Sequence, residues 1–244
     1  MELGQTLIEV KNLNFRYQDE LILRDVNFEI KKGELVVVVG PRGEGKSTLL
    51  KILGGLIEFS MGDVLYDGFN LRRAVKIDML KFHKKTSFVF QDAALISNMK
   101  IFDNVALPIR YHELMPEKEI ISVVNELLSF VGLQNVKNLL PAYISMGQRK
   151  LISLIRAITI NPETIFYDEP IANLDTSAQE KVVEIIKSNK SKGVTGIIIT
   201  HEFSPFIDIV DRIIVLRNRT IYEIGTLEYM RSLNDRFVDE LISN

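Results

Sequence analysis

One glycine-rich segment constrains this 244-residue chain more than any other feature. Its eight residues match the phosphate-binding pattern G-x-x-x-x-G-K-[ST] and run in the order Gly40, Pro41, Arg42, Gly43, Glu44, Gly45, Lys46, Ser47. The apolar residues before it predict a buried parallel strand, and residues 47–53 predict a helix. Glycines let the backbone turn N–H groups toward a phosphate, while the helix N-terminus and Lys46 add positive charge and Ser47 offers a hydroxyl to Mg²⁺. The segment therefore predicts binding of a nucleoside triphosphate rather than a glycine-rich turn with a chance lysine.

Composition is compatible with that function and excludes few others. The chain is 46% apolar and 25% charged, as is usual for a globular protein of one large domain, and its net charge of −2 gives no overall attraction for nucleic acid. It contains no cysteine, which excludes disulfides. Residues 1–5 lack the basic-then-apolar pattern of a secretory signal, and no apolar run approaches the ~20 residues that span a bilayer. We therefore expect another chain to hold this one at any membrane where it works.

Two consecutive carboxylates follow a second apolar segment. Residues 164–167 come after the turn signal Asn161-Pro162 and lead into Asp168 and Glu169. At the carboxyl end of a parallel strand, Asp168 would face the phosphate loop and hold Mg²⁺ through water. Glu169 would then lie beside the terminal phosphate, where it can orient and deprotonate an attacking water. The alternative is a solvated acidic pair at a strand end, which the phosphate loop upstream disfavours.

Two further predicted strands also end in polar residues. Residues 196–200 lead to His201, which can hydrogen-bond the terminal phosphate, and residues 86–90 lead to Gln91, whose amide suits a metal ion or a water. Carboxyl ends of parallel strands meet at one edge of a sheet, so these residues form a candidate active site. His83 and His112 lie in polar surroundings and are predicted to be surface residues.

In order and approximate spacing, these motifs resemble the ATP-binding cassette (ABC) family over nearly the whole chain. Ser145-x-Gly147-Gln148 and Asn173-Leu174-Asp175 complete the resemblance. It implies ATP hydrolysis with Mg²⁺, catalytic roles for Glu169, His201 and Gln91, and metal binding by Ser47, Gln91 and Asp168. The implied ATP contacts are the loop residues 40–47, Thr48, Tyr17, Ser145, Gly147, Gln148 and Asp175. For Tyr17, implied to stack on adenine, packing at a strand edge is an equal alternative.

The resemblance also implies an α/β fold and an assembly. The expected fold is a P-loop NTPase with a mixed core sheet, an antiparallel β subdomain and an inserted helical subdomain at about residues 92–160, all within one nucleotide-binding domain, 1–244. The predicted antiparallel strands are residues 7–10, 22–24, 26–30 and 64–66. After residue 165 the pattern predicts helices at 177–187 and 206–210 and a last strand at 212–216. A terminal helix at 235–242 is predicted to pack on its own domain, with contact to a partner as the alternative. Ser145 would bind ATP held by the opposite subunit, so a complete site needs two copies face to face.

The sequence departs from the family pattern in three places. Ile144-Ser145-Met146-Gly147-Gln148 stands where the family usually has Leu-Ser-Gly-Gly-Gln, so Met146 places a side chain where phosphate approaches closely. Arg42 and Glu44 occupy loop positions usually held by small residues, and Tyr167 precedes Asp168 in place of an aliphatic residue. No catalytic group is missing. We therefore expect slow but real ATPase activity.

The segments 90–95 and 98–108 are similar to the ATPase subunits of Mla/Mce-type phospholipid transporters. This similarity implies a homodimer at the cytoplasmic face of the inner membrane, a dimeric integral membrane permease and a periplasmic or extracellular Mce-domain lipid-binding protein, without nucleic acid. Three alternatives remain: the ATPase of another importer or lipoprotein-extrusion system, a soluble cassette protein acting on ribosomes or DNA, and an ATP-clamped regulator. The absence of a second cassette or a coiled coil disfavours the ribosome or DNA alternative, and the intact Glu169 and His201 disfavour the regulator.

Overall fold

The computed structural model describes residues 4–243 and contains two sheets and a group of helices. The expectation about a secretory signal concerns residues 1–5, most of which lie outside the described residues. The strands are β1 (Thr6–Tyr17), β2 (Glu20–Lys31), β3 (Leu35–Val39), β4 (Met61–Tyr66), β5 (Phe69–Asn70), β6 (Thr86–Val89), β7 (Thr164–Asp168), β8 (Thr195–Ile199), β9 (Arg212–Arg217) and β10 (Thr220–Gly225). The helices are α1 (Lys46–Leu53), α2 (Lys76–His83), α3 (Ile101–Tyr111), α4 (Glu117–Phe130), α5 (Met146–Ile158), α6 (Thr176–Ser191), α7 (Leu227–Ser232) and α8 (Arg236–Ile242).

The larger sheet has six strands in the order β10-β9-β3-β8-β7-β6. Its neighbouring strands are parallel except for β10, which pairs antiparallel with β9. Every residue of β3, β7 and β8 is buried, which explains why these strands read as continuous apolar runs. The predicted mixed core sheet is confirmed, and the carboxyl ends of β6, β7, β8 and β3 lie along one edge.

The smaller sheet is antiparallel, in the order β2-β1-β4-β5, as predicted. One detail of the prediction was wrong: residues 22–24 and 26–30 belong to a single strand, β2. The strand continues through Asp25, whose positive φ of 44° makes it irregular at that point. The polar residue between the two predicted strands therefore marks a distortion of one strand and not its end.

Helices fill the segment between β6 and β7, which confirms the predicted helical insertion. In this insertion, α3, α4 and α5 pack on one another, and the buried side of α5 also contacts β6. The terminal helix α8 buries Val238 and Ile242 in the same apolar core, as expected. In the described part of the chain, no helix is both long and apolar enough to cross a membrane.

Two apolar cores cover the two faces of the larger sheet. Alternate residues of β3 enter different cores: Val37 joins the core shared with the helical insertion and α6, and Val38 joins the core shared with α1 and the antiparallel sheet. Burial of apolar surface on both faces stabilises the sheet at about 25 cal/mol per Å². The sheet is thus a fixed platform whose edge loops carry the polar residues.

Several elements of the structure differ from the prediction. Residues 206–210 form no α-helix; a short 3₁₀ turn at Ser204–Phe206 is followed by further turns, because the chain must reach β9 within a few residues. The strand at 212–216 is not the last, since β10 follows it after a turn at Asn218 and Arg219, both with positive φ. The helices α2 and α7 were also missed, because both are short and α2 has almost no amphipathic pattern.

Candidate functional site

The phosphate loop joins β3 to α1 and is packed so tightly that glycine is required at two of its positions. At Gly40, with φ of +151°, a Cβ would lie 2.4 Å from the carbonyl oxygen of Leu216 in β9. At Gly45, with φ of +86°, it would lie 2.7 Å from the carbonyl oxygen of Ile22 in β2. The loop is therefore fixed between the two sheets with its first and last glycines in conformations unfavourable to other residues.

Lys46 is almost entirely buried, with 5% of its surface exposed. Its Nζ donates hydrogen bonds of 2.7 Å to the carbonyl oxygens of Gly40 and Pro41. Burial lowers the pKa of Lys46, and the nearby carboxylates of Glu169 and Glu44 act in the opposite direction. The ammonium group is thus held at the mouth of the loop, beside the N-terminus of α1, where an anion would be stabilised.

The remaining loop residues divide between solvent and the fold. Arg42 and Gly43 are exposed, Pro41, Ser47 and Thr48 are half-buried, and Glu44 accepts a 2.6 Å hydrogen bond from the backbone N–H of Arg219. Arg219 lies in the turn between β9 and β10, so Glu44 anchors the loop to that hairpin. Sequence analysis missed this contact because it did not predict β10.

Asp168, which was predicted to face the phosphate loop, contacts Ser47 of that loop. The Ser47 hydroxyl donates to Oδ1 of Asp168 at 3.0 Å, joining the first turn of α1 to the end of β7. Mg²⁺ prefers oxygen ligands and is commonly bound by one or two carboxylates together with phosphate oxygens, so this pair fits it. Among residues 4–243, no cluster of three or more His, Cys, Asp or Glu side chains could hold a metal ion by itself. A Mg²⁺ ion bound here would therefore need phosphate oxygens as further ligands.

Glu169 has a strained backbone and a buried carboxylate. Its φ is +47°, its side chain is 9% exposed, and its N–H donates to the carbonyl oxygen of Ile199 at 2.9 Å. Burial raises the pKa of Glu169, and a 3.3 Å hydrogen bond from the backbone N–H of His201 partly offsets this. A carboxylate with a raised pKa is better suited to accept a proton than one in water.

His201 lies beside Glu169, with Nε2 3.4 Å from its Oε1. Burial lowers the pKa of His201, and the positive charges of Lys46 and Arg42 lower it further. The imidazole is therefore neutral at neutral pH, and its contact with Glu169 is not an ion pair. A neutral imidazole can donate one hydrogen bond and accept another, which suits it to holding a water or a phosphate oxygen.

Gln91 enters the site through its backbone. Its side chain is exposed, while its carbonyl oxygen accepts a 2.6 Å hydrogen bond from Nζ of Lys150 in α5. Sequence analysis missed Lys150, which is completely buried and has a pKa that burial lowers to about 8. The signal that could have found it is a lysine among the buried apolar residues of a helix.

The predicted contacts to a second copy lie on helix termini. Ser145 caps α5: its Oγ accepts from the N–H of Gln148 at 3.2 Å, and Oε1 of Gln148 accepts from the N–H of Ser145 at 2.9 Å. Met146 follows with 45% of its surface exposed. At Gly147 a Cβ would meet nothing closer than 3.5 Å, so its own chain leaves room for a side chain there. Asp175 caps α6 by accepting from the N–H of Ala178 at 2.9 Å.

Tyr17 ends β1 and is half exposed, with its ring edge-on to Phe15 at 4.9 Å between centroids. It belongs to the β1–β2 hairpin, whose Ile22 abuts Gly45, so an exposed aromatic ring flanks the phosphate loop. The two remaining histidines, predicted to be surface residues, are half-buried, and His83 contacts the carbonyl oxygen of Gly54 at 3.3 Å. Neither is part of the site.

Comparison with known proteins agrees with this geometry. The family model described as "ABC transporter" matches residues 23–172, more than half of the chain. The chain belongs to the ABC transporter family. Its ABC cassette fold is also found in a solved dimeric ATP-binding cassette in a post-hydrolysis state with ADP and phosphate, at 30% identity and a TM-score of 0.83, covering 91% of this chain and 99% of that one. Like its homologues, this ABC protein is an ATPase coupled to transport.

Curated relatives of this ABC protein belong to more than one transport system. The intermembrane phospholipid transport system ATP-binding protein MlaF of Haemophilus influenzae is 34% identical over 96% of this chain and 89% of its own length. The methionine import ATP-binding protein MetN of Campylobacter jejuni is also 34% identical, over 91% of this chain and 71% of its own length. The comparisons thus agree on the family and differ in cargo.

The raised pKa of Glu169 gives a prediction about stability. In the nucleotide-free ABC protein, Glu169→Gln is expected to raise Tm at neutral pH, because it removes a buried charge and keeps an acceptor for the N–H of His201. Because the pKa of Glu169 is higher in the folded than in the unfolded chain, the folded chain binds more protons at pH values between these two pKa values. The destabilisation caused by the ionised carboxylate is therefore present in full above the folded-state pKa. It disappears as the pH falls toward the ordinary value of 4.5.

Scanning calorimetry of wild type and Glu169→Gln across this pH range measures the effect. Glu180→Gln, at an exposed position in α6, is the matched control and should follow wild type at every pH. A Tm of Glu169→Gln below that of wild type at neutral pH would contradict the assignment of a buried, destabilising carboxylate.

Proposed function

We propose that this chain is the ATP-hydrolysing subunit of a phospholipid transporter of the Mla/Mce type. The observation that supports phospholipid as the cargo is the nearly end-to-end match to MlaF, which covers 96% of this chain and 89% of that relative. The match to MetN covers only 71% of that relative's length. Residues 1–244 would form one nucleotide-binding domain, working as a homodimer at the cytoplasmic face of the cell membrane. Its partners would be a permease and an Mce-domain lipid-binding protein.

In this proposal ATP is held first by its phosphates. Lys46 and the backbone amides at the start of α1 bind the β- and γ-phosphates, and Tyr17 stacks on the adenine. Ser47 and Asp168, already 3.0 Å apart, would hold Mg²⁺ with Gln91, and the ion would neutralise phosphate charge. Ser145 and Gly147 of a second copy close over the γ-phosphate, with Gln148 and Asp175 holding the ends of their helices.

Hydrolysis is an in-line displacement. Glu169 accepts a proton from water as the water oxygen bonds to the γ-phosphorus, the bond from that phosphorus to the β-phosphate oxygen breaks, and ADP and phosphate leave. His201, 3.4 Å from Glu169, keeps the water aligned. Most of the acceleration comes from positioning and from charges fixed before the reaction begins. Met146 at the closing face is expected to make turnover slow.

A second candidate is import of a small solute. It is favoured by the MetN relative, whose 34% identity equals that of MlaF. The two candidates share every catalytic step and differ only in the permease and the binding protein.

Purification of the tagged chain from detergent-solubilised membranes of its own host distinguishes them. We expect a permease and an Mce-domain protein to co-purify, and the complex reconstituted in vesicles to move a fluorescent phospholipid only with ATP. The same complex carrying Glu169→Gln is the matched control and should move none. Recovery of a solute-binding protein, with ATP-driven uptake of that solute and no lipid movement, would overturn the phospholipid assignment.

A further inference from the structure

Lys150 joins three parts of the site through one ammonium group. From the second turn of α5, its Nζ donates to the carbonyl oxygens of Phe90 at 3.1 Å, Gln91 at 2.6 Å and Glu169 at 3.1 Å. An ammonium has three donors, and here each meets a backbone carbonyl. The side chain is completely buried, so these contacts are shielded from water. Lys150 thus connects the ends of β6 and β7 to a single helix.

The contact with Glu169 supports an unfavourable backbone conformation. A residue other than glycine with φ of +47° persists only where its surroundings hold it. The N–H of Glu169 is held by Ile199, and its carbonyl oxygen accepts from Lys150 and, at 3.4 Å, from the N–H of Ala172. Lys150 is the partner that comes from the helical insertion. Without Lys150, the carbonyl group of Glu169 would lose a hydrogen bond, and the backbone that orients the Glu169 carboxylate would be less constrained.

The loop after β6 is held by the same helix. Ala93 and Ala94 both have positive φ, of 65° and 44°, and their carbonyl oxygens accept from Arg156 at 3.0 and 2.8 Å. Arg156 is in α5, as is Lys150. Lys150 and Arg156 together therefore hold four carbonyls of this loop, at residues 90, 91, 93 and 94.

Ser145 is the N-cap of the same helix, five residues before Lys150 and about 7.5 Å away along the axis. We propose that Lys150 is a positioning residue that couples the N-terminus of α5 to Gln91 and Glu169. A movement of α5, when Ser145 closes on ATP of the second copy, is transmitted through Lys150 to the backbone of both residues. This inference rests on the roles proposed above for Ser145, Gln91 and Glu169.

Lys150→Met tests it in the full-length chain, because methionine keeps a long apolar stem and removes all three donors. We expect kcat for ATP to fall by roughly 10- to 100-fold, as a small misplacement of catalytic groups costs that much, with Kd for a fluorescent ATP analogue within about threefold of wild type. Lys150→Arg, which restores donors, should recover part of kcat. Lys150→Gln, with a donor on a shorter stem, is milder and keeps the test open if Lys150→Met does not fold.

The matched control is Lys190→Met. Nζ of Lys190 also donates to a carbonyl oxygen, that of Ile209 at 2.6 Å, and to Oδ1 of Asp211 at 2.6 Å, both just before β9 and away from the site. Its kcat should stay within about twofold of wild type, since its contacts do not reach the catalytic groups. Lys190 is half-buried, and removing its hydrogen bonds should also lower Tm, so a loss of Tm would appear in both variants. Loss of kcat would appear only at Lys150.

A double-mutant cycle with Gln91→Ala separates positioning from a general structural role. If Lys150 acts partly through Gln91, the fold-loss of kcat in the double variant is smaller than the product of the two single fold-losses. The inference would be overturned if kcat of Lys150→Met were unchanged, or if the loss in the double variant equalled the product of the single losses, provided that Glu169→Gln is inactive. Full activity of Glu169→Gln would instead overturn the role proposed for Glu169, and this inference with it.

Discussion

Glu169→Gln is expected to lower kcat for ATP hydrolysis by about 10²- to 10⁴-fold, the contribution of a general base, while leaving ATP affinity nearly unchanged. The carboxylate lies against His201 at the end of β7 and contributes no donor to the phosphates. Glutamine has almost the same shape and can still accept from the N–H of His201, but it cannot take a proton from water. Binding and closure should therefore proceed and the reaction should stop.

A closed dimer should then accumulate. Because hydrolysis reopens the proposed dimer, the variant with ATP is expected to elute as a dimer in size-exclusion chromatography, and wild type should return to its nucleotide-free state as ATP is consumed. Glu202→Gln is the control, since Glu202 is a nearby exposed carboxylate that accepts from Gln179. A Glu169→Gln variant that binds ATP and stays monomeric would contradict the shared-site mechanism, and one with near-wild-type kcat would exclude Glu169 as the base.

The parts of the site that sequence predicted are those determined by neighbouring residues. The phosphate loop, the pair Asp168-Glu169 and the capping serine of α5 are each encoded within a few positions, and a parallel sheet brings the carboxyl ends of its strands to one edge whatever the loops between them. The contact between Ser47 and Asp168 follows from this rule, although the residues are 121 positions apart.

The parts that were not predicted depend on contacts between distant segments. Lys150 reaches across 60 positions to Phe90, and Glu44 contacts Arg219 across 175. Neither pair carries a pattern in sequence, because a buried lysine is recognised only when the carbonyls around it are known. The turn at Asn218 and Arg219 lacks the glycine that usually marks a two-residue hairpin, so the sequence did not predict β10. The contact between Glu44 and Arg219 was missed for the same reason.

Lys46→Met is expected to weaken ATP binding by about 10- to 100-fold. A hydrogen bond to a charged group contributes about 1.5 to 3 kcal/mol, and each 1.4 kcal/mol is about tenfold in Kd. Nζ of Lys46 donates to the carbonyl oxygens of Gly40 and Pro41, so its charge lies at the phosphate loop. Methionine keeps the buried stem, and the loop glycines still fix the backbone; the loss should therefore appear in binding more than in folding.

Equilibrium titration with a fluorescent ATP analogue measures this loss, and Lys51→Met, in the last turn of α1, is the matched control that should bind as wild type does. The double variant with Glu169→Gln gives the sharper test. If Lys46 acts in binding and Glu169 in the chemical step, adding Lys46→Met to Glu169→Gln should abolish the trapped dimer at ATP concentrations that saturate Glu169→Gln alone, and higher ATP should restore it. A double variant that dimerises at the same ATP concentration as Glu169→Gln would show that Lys46 contributes nothing to holding the triphosphate, and the phosphate loop would then bind through its amides alone.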